Sequence, residues 1–422
     1  MGPEIILLVA VACVVGSAIG TFSGLVPGIH VNTLASIMLL SYPAMESFLV
    51  LHTEAEYVPI LISSCVMSAS VVHSFVDFVP SVFIGAPDPD EVLTVLPGHR
   101  LLMRGLGMRA VRAAAIGSAV GSASAILLAI PVQYLMLNGL AAHLDIFSVS
   151  VVSFTLLVIT LNEDGIQKKI WALVLMLLSG IVGLICMDLR IPSAGILGEG
   201  TLLFPLLTGL FGIPALLSSL HNASIPEQDD DGMPPVDHVP GIKGVIMGSL
   251  AGWYPGITAT AGATLSSLFM PEDRPERFIS VVASIGTVTS VFSLVTLSVS
   301  GSGRSGTVLV IRDIIGDGAA GFCSPEFLLL LFCCAVSSFI GYHITIASGR
   351  MMSAISGRVD ATRMNRAIIC FVTVLVVLLT GPFGLIVLAI SAAIGMIPSD
   401  IGMDRIPLAG CLMFPVLIHG IF

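Results

Sequence analysis

Two short stretches, 228 positions apart, hold the residues best suited to grip an anion: Pro27-Gly28-Ile29-His30-Val31-Asn32-Thr33 and Pro255-Gly256-Ile257-Thr258-Ala259-Thr260. Proline lacks the backbone N–H and its ring clashes with the carbonyl four residues back, while the following glycine tolerates unusual dihedrals, so each Pro-Gly stops a helix. A helix that restarts beyond the stop presents free N–H groups and the positive end of its dipole, where an anion is held without a full cationic charge. Side chains just past the break add directional hydrogen bonds. That makes Asn32, Thr33, Thr258 and Thr260 candidate ligands, with His30 beside them. The same side chains would also serve as plain helix caps, and capping does not exclude binding.

Two further sets of polar residues stand out. Ser300-Gly301-Ser302-Gly303-Arg304-Ser305-Gly306-Thr307 is dense in glycine and serine, and its N–H groups with the Arg304 guanidinium could form an anion nest. Arginine pairs bidentately with carboxylate or phosphate, which makes Arg304 the cationic anchor of such a site; the alternative is a solvated arginine on an external loop. His73 and Asp77 lie four residues apart inside an apolar run, hence on one helix face. A charge at the bilayer centre costs about 3 kcal/mol even on the lenient insertion scale. The pair therefore reads as a coupling site for H⁺ or Na⁺, or as a satisfied neutral pair near a helix end.

The elements that must position these residues are apolar helices. Of 422 residues, 55% are hydrophobic and 10% charged, with a mean hydropathy of +1.03, against roughly 25% charged in soluble domains. Membrane-length apolar segments fall at 4–20 with a broken continuation at 25–42, then 58–84, 110–137, 146–161, 170–187 and 200–220. A second series falls at 241–251 with a broken continuation at 257–270, then 278–299, 326–347, 367–380, 384–397 and 406–421. Both series open with the same row, Gly16, Gly20, Gly24 and Gly244, Gly248, Gly252, a bare stripe that lets another backbone approach closely. The duplication divides the chain into repeats at 1–220 and 241–422, joined by an acidic, proline-rich linker at 221–240 that carries Glu227, Asp229, Asp230, Asp231 and Asp237.

If each broken segment is a hairpin that enters and leaves on one side, the positive-inside rule puts fourteen of the 17 basic residues inside and leaves Arg190, Arg304 and Arg312 outside. The first hairpin then enters from outside and the second from inside. The expected fold is an all-α polytopic membrane protein of two inverted repeats, each with a broken or re-entrant Pro-Gly hairpin and about five further helices, the plan of many secondary transporters.

Other classes lack support. The eight cysteines form no Cys-x-x-Cys pair, so neither a metal nor a redox cofactor is expected. No basic stripe suits nucleic acid. No His-Glu-x-x-His run or Gly-x-Ser-x-Gly elbow points to an enzyme. The first residues carry no Lys or Arg, and no removable signal peptide is expected.

Downstream, Gly85-Ala86-Pro87-Asp88-Pro89-Asp90-Glu91 is followed by Pro97-Gly98-His99, by Arg104-Gly105 and by a small-residue helix from Ala113 to Ser124. With the breaks at Gly24 to Gly28 and Gly252 to Gly256, this series resembles the TctA-type large membrane subunit of tripartite tricarboxylate transporters. The residues after Pro27-Gly28 differ from the glycine-rich continuation of that family, and the chain is compact for a member. The resemblance implies a multi-pass protein of the cell membrane that moves a small organic anion, a carboxylate such as a tricarboxylate, together with H⁺ or Na⁺. It also implies a small membrane subunit and an extracytoplasmic solute-binding protein as partners; the sequence is equally compatible with a homo-oligomer. The competing function is a translocase for a polyprenyl phosphate or another lipid-linked anion, since such proteins also use inverted Pro-Gly hairpins.

Overall fold

The computed structural model describes residues 3–26, 31–84, 95–188, 194–196, 198–199, 202–218, 226–228, 237–254, 259–269, 272, 274–301, 305–356 and 361–421. In the first half the helices are α1 (Pro3–Leu25), α2 (Val31–Leu40), α3 (Tyr42–Leu49), α4 (Val58–Val76), α5 (Phe78–Ile84), α6 (Val95–Leu102), α7 (Gly107–Leu135), α8 (Ala141–Ile146), α9 (Ser148–Leu161), α10 (Gly165–Asp188), α11 (Leu203–Leu207) and α12 (Ile213–Ser218). The second half contains α13 (Val239–Trp253), α14 (Ala259–Phe269), α15 (Pro275–Ser300), α16 (Gly306–Ile315), α17 (Pro325–Ser356), α18 (Ala361–Asp400) and α19 (Gly410–Ile421). Besides helix, a two-residue antiparallel ladder joins Ala194–Gly195 to Gly198–Glu199. Among the described residues seven helical stretches are long and apolar enough to cross a membrane.

The long segments expected from hydropathy are helices, with two differences. The segments expected at 367–380 and 384–397 form one helical run, α18, interrupted by Gly381 at φ 64° before Pro382. The short helices α3, α6 and α16 occupy stretches expected to be connections, because eight to ten residues give too little hydropathy signal to mark them.

Both glycine rows meet another backbone. A Cβ at Gly16 would overlap the Cys65 carbonyl, one at Gly20 the Ala69 carbonyl, and one at Gly24 would press on Val76 and His73. Residue numbers rise together along this contact, so α1 and α4 run parallel. In the second half Gly244 faces Val281 and Ser284, Gly248 faces Ile285 and Val288, and Gly252 faces Thr289 and Phe292, so α13 and α15 also run parallel. The partners match as well as the glycines: Cys65 and Val281, Ala69 and Ile285, His73 and Thr289, and Val76 and Phe292 are each 216 positions apart.

Each half then lends a helix to the other. Gly117 and Gly121 of α7 lie on Ser280 and Ser284 of α15, and Gln133 donates to Ser298 at 2.9 Å, a parallel pair. On the other side Ser337 of α17 donates to Ser68 of α4 at 2.8 Å and Gly341 packs on Phe75, again parallel. The α7–α17 contact has the opposite sense: Gln133 accepts from the Cys323 N–H just before α17, while Gly349 near its end meets Met108 and Val111. It follows that α4 and α15 are antiparallel, as are α1 and α13.

One end of this bundle gathers Arg109, Lys243, Arg277 and Arg350. Arg109 bonds Glu276 at 3.0 Å, linking α7 to α15, and Lys243 and Arg277 both reach Glu272, with Arg277 also 3.3 Å from Asp237. Arg350 comes to the same end because its neighbour Gly349 packs beside Met108. The linker takes part here: Gln228 accepts from the Gly107 N–H at 2.8 Å and donates to the Leu102 carbonyl at 3.1 Å, fixing the corner where α7 begins.

Candidate functional site

Both breaks fall between separate helices, α1/α2 and α13/α14, but the break residues themselves lie outside the described ones: Pro27, Gly28, His30, Pro255, Gly256 and Thr258. Arg304 lies outside them too. Asn32 and Thr33 are the second and third residues of α2 and Thr260 the second of α14, so these three occupy restarted first turns, as the spacing predicts. The ends of the first arms are described. Gly24 packs against the turn of α4 that carries His73 and Val76, and Gly252 against the turn of α15 that carries Thr289 and Phe292. The Gly252 carbonyl accepts from Thr296 at 2.9 Å, which satisfies one of the groups a broken helix leaves open.

The His73–Asp77 pair is fully described. Both are buried, and His73 Nε2 stands 3.9 Å from Asp77 Oδ2. At that distance the contact is ionic only if the imidazole is protonated, and it is too long for a direct hydrogen bond. His73 Nδ1 is 2.8 Å from Ser23 Oγ in the last turns of α1. Ser23 Oγ is also within donating distance, 3.1 Å, of the Gly20 carbonyl. Which of Ser23 Oγ and His73 Nδ1 donates in their contact is set by the imidazole tautomer.

Sequence reasoning missed the residues at the crossing of α4 and α15. Ser74 Oγ and Ser290 Oγ approach to 3.5 Å, and these two serines are 216 positions apart, the same offset that relates the glycine partners. Ser74, Thr289 and Ser290 are half-buried although His73, Phe75, Val288 and Val291 around them are buried. Next to them Ser70 meets Thr307 of α16 at 3.4 Å. The signal was present as Val72-His73-Ser74 against Val288-Thr289-Ser290, but at an offset twelve residues shorter than that of the glycine rows.

A groove of about 460 Å³ between α1 and α2 is lined by Ala18, Ile19, Phe22, Leu34, Ile37 and Met38 and offers no polar side chain to an anion. Among the described residues no group of three or more His, Cys, Asp or Glu is placed to hold a metal ion.

A family model described as "Tripartite tricarboxylate transporter TctA family" matches residues 10–410. An uncharacterized protein of Methanocaldococcus jannaschii is 29% identical over 313 residues, which cover 71% of each chain. No solved structure matches the chain.

Proposed function

The chain belongs to the tripartite tricarboxylate transporter TctA family, and on that premise we propose that it is a secondary transporter of a small carboxylate anion, tricarboxylate-type by family, working by alternating access. It is a multi-pass membrane protein. The reading adds two inverted repeats whose broken arms meet near the α4–α15 crossing. It is supported by the opposed directions of α4 and α15 and by contact between serines that occupy equivalent places in the two halves. A residue that touches its own counterpart lies beside a two-fold axis, and such an axis in the membrane plane is where inverted-repeat transporters bind their cargo. Residues 1–220 and 241–422 are then the repeats, with Asn32, Thr33, Thr258, Thr260 and Arg304 as ligands together with His30 and the Pro27-Gly28 and Pro255-Gly256 backbones.

Coupling follows from the charges. An anion entering beside Asp77 meets a like charge; at about 4 Å and an effective dielectric constant near 20 the repulsion is about 4 kcal/mol. A proton or Na⁺ taken up by the His73–Asp77 pair removes it, so anion and cation bind together. The small membrane subunit and the extracytoplasmic binding protein are partners by family. The test is thermal stabilisation of purified protein by a panel of carboxylates, with polyprenyl-phosphate lipids in a parallel arm. A shift with a di- or tricarboxylate at millimolar concentration is expected. A response to the lipid arm alone would replace this reading with lipid translocation.

A further inference from the structure

One place in the buried interface of α4 and α15 stays open. A Cβ added at Gly286 would have nothing within 4 Å among the described residues, although Ile285 and Thr287 on either side are buried. Gly286, Ser290 and Ser293 follow one face of α15 at helical spacing, and Ser290 faces Ser74 on α4. Ser293 is buried, and its Oγ has no hydrogen-bond partner among the described residues. The other sides of α4 are covered by α1 and α17, and those of α15 by α13 and α7. Space walled by hydroxyls in the centre of a bundle takes water or a polar molecule, because only apolar cavities stay dry.

The antiparallel crossing sets the register. Moving one turn along α4 from Ser74 reaches Asp77, and moving one turn back along α15 from Ser290 reaches Gly286, so these two turns lie toward the same end of the crossing. In the other half the position equivalent to Gly286 is Ser70, which is occupied by its bond to Thr307. The opening therefore exists on one side of the crossing.

We propose that this cleft receives part of the transported carboxylate and that Gly286, by having no side chain, sets the size of the largest anion that fits. Ser74 and Ser290, whose hydroxyls donate at 3.1 Å to the Ser70 carbonyl and at 3.3 Å to the Gly286 carbonyl and stand 3.5 Å from each other, rotate to donate to the ligand. The inference rests on the transporter reading above and adds to it a residue that decides between substrates. The Cβ of a valine at 286 meets no described atom within 4 Å, so Gly286→Val is expected to narrow the site rather than disrupt the fold.

Two measurements on the full-length protein in proteoliposomes test this. In the first, Gly286→Cys and the buried control Val288→Cys are treated with a membrane-impermeant methanethiosulfonate, and the modified site is identified by peptide mass spectrometry so that native cysteines do not count. The thiol introduced at 286 should react at least tenfold faster than that at 288; equal rates overturn the open cleft. In the second, a series of mono-, di- and tricarboxylates of three to six carbons is bound to the wild type and to Gly286→Val. The largest binder should weaken at least tenfold and the smallest should stay within twofold. If the wild type binds and the variant binds every member equally well, this inference alone falls. If the wild type binds no member while the thiol at 286 still reacts quickly, the carboxylate reading falls and this inference with it.

Discussion

The pairs α1/α4 and α13/α15 are built alike and equipped differently. In both, three glycines at four-residue spacing lie on the backbone of a parallel helix, and the contacts match position by position. At the matching places the first pair carries Ser23, His73 and Asp77 where the second carries Ala251, Thr289 and Ser293. His73 ties its helix to Ser23 through a titratable ring. Thr289 ties its own to the Gly248 carbonyl through a neutral hydroxyl at 3.4 Å. The two matching pairs thus differ in that one carries ionisable side chains and the other neutral ones.

The comparison breaks first at the shared scaffold. Gly20→Val drives a branched side chain into the Ala69 backbone and Gly248→Val drives one into Val288. Overpacking of this kind costs about 1–3 kcal/mol. Both variants should lower the melting temperature in detergent by a similar large amount, and a silent Gly248→Val would mean that the halves are not packed alike. The loans between halves differ in kind. Arg109–Glu276 binds α7 to α15 by charge, whereas Ser68–Ser337 binds α4 to α17 by a neutral hydrogen bond. Removing one partner of a buried ion pair costs about 3–5 kcal/mol, and losing a hydrogen bond about 1 kcal/mol. Glu276→Ala should therefore destabilise more than Ser337→Ala, as read from the two melting curves.

Function should separate the copies more sharply than stability does. Asp77→Asn is expected to abolish gradient-driven uptake while leaving carboxylate binding within about threefold, whereas Ser293→Ala should leave gradient dependence unchanged. Uptake by Asp77→Asn that still follows the imposed gradient would reduce the pair to a packing feature. The smallest effect lies outside the bundle. Burial in the turn between α9 and α10, together with Asp404 and Asp164, raises the Glu163 carboxyl above its usual 4.5, against the opposing pull of Lys168. A raised folded-state value gives stability that is present at low pH and lost as pH rises through it. Glu163→Gln should melt slightly higher than the wild type at pH 7 and equal it at a pH below 4.

Much of this was legible because hydropathy and helix breakers act locally. The run from Pro275 to Ser300 reads as a span from its own residues, and the stop after Trp253 follows from Pro255. The crossing serines were not legible in the same way. Ser74 and Ser290 are two serines among many, and only the packing of α1 on α4 and of α13 on α15 reveals that they correspond. The linker was equally opaque. Its acidic residues suggest a tether, yet Gln228 holds the start of α7, a role that depends on free Gly107 N–H and Leu102 carbonyl groups more than a hundred positions away.

By itself, then, the sequence determined the membrane, the position of most long apolar helices and the two helix stops, since each follows from transfer free energies or backbone sterics of residues close together in the chain. Tertiary structure decided which helices touch, in which direction, and that Gly286, inside a long helix, meets no described atom where the row glycines meet a backbone. Whether a missing side chain draws a backbone close, as at Gly20, or leaves a cleft, as at Gly286, depends on what stands opposite it, and only the folded chain brings that partner there.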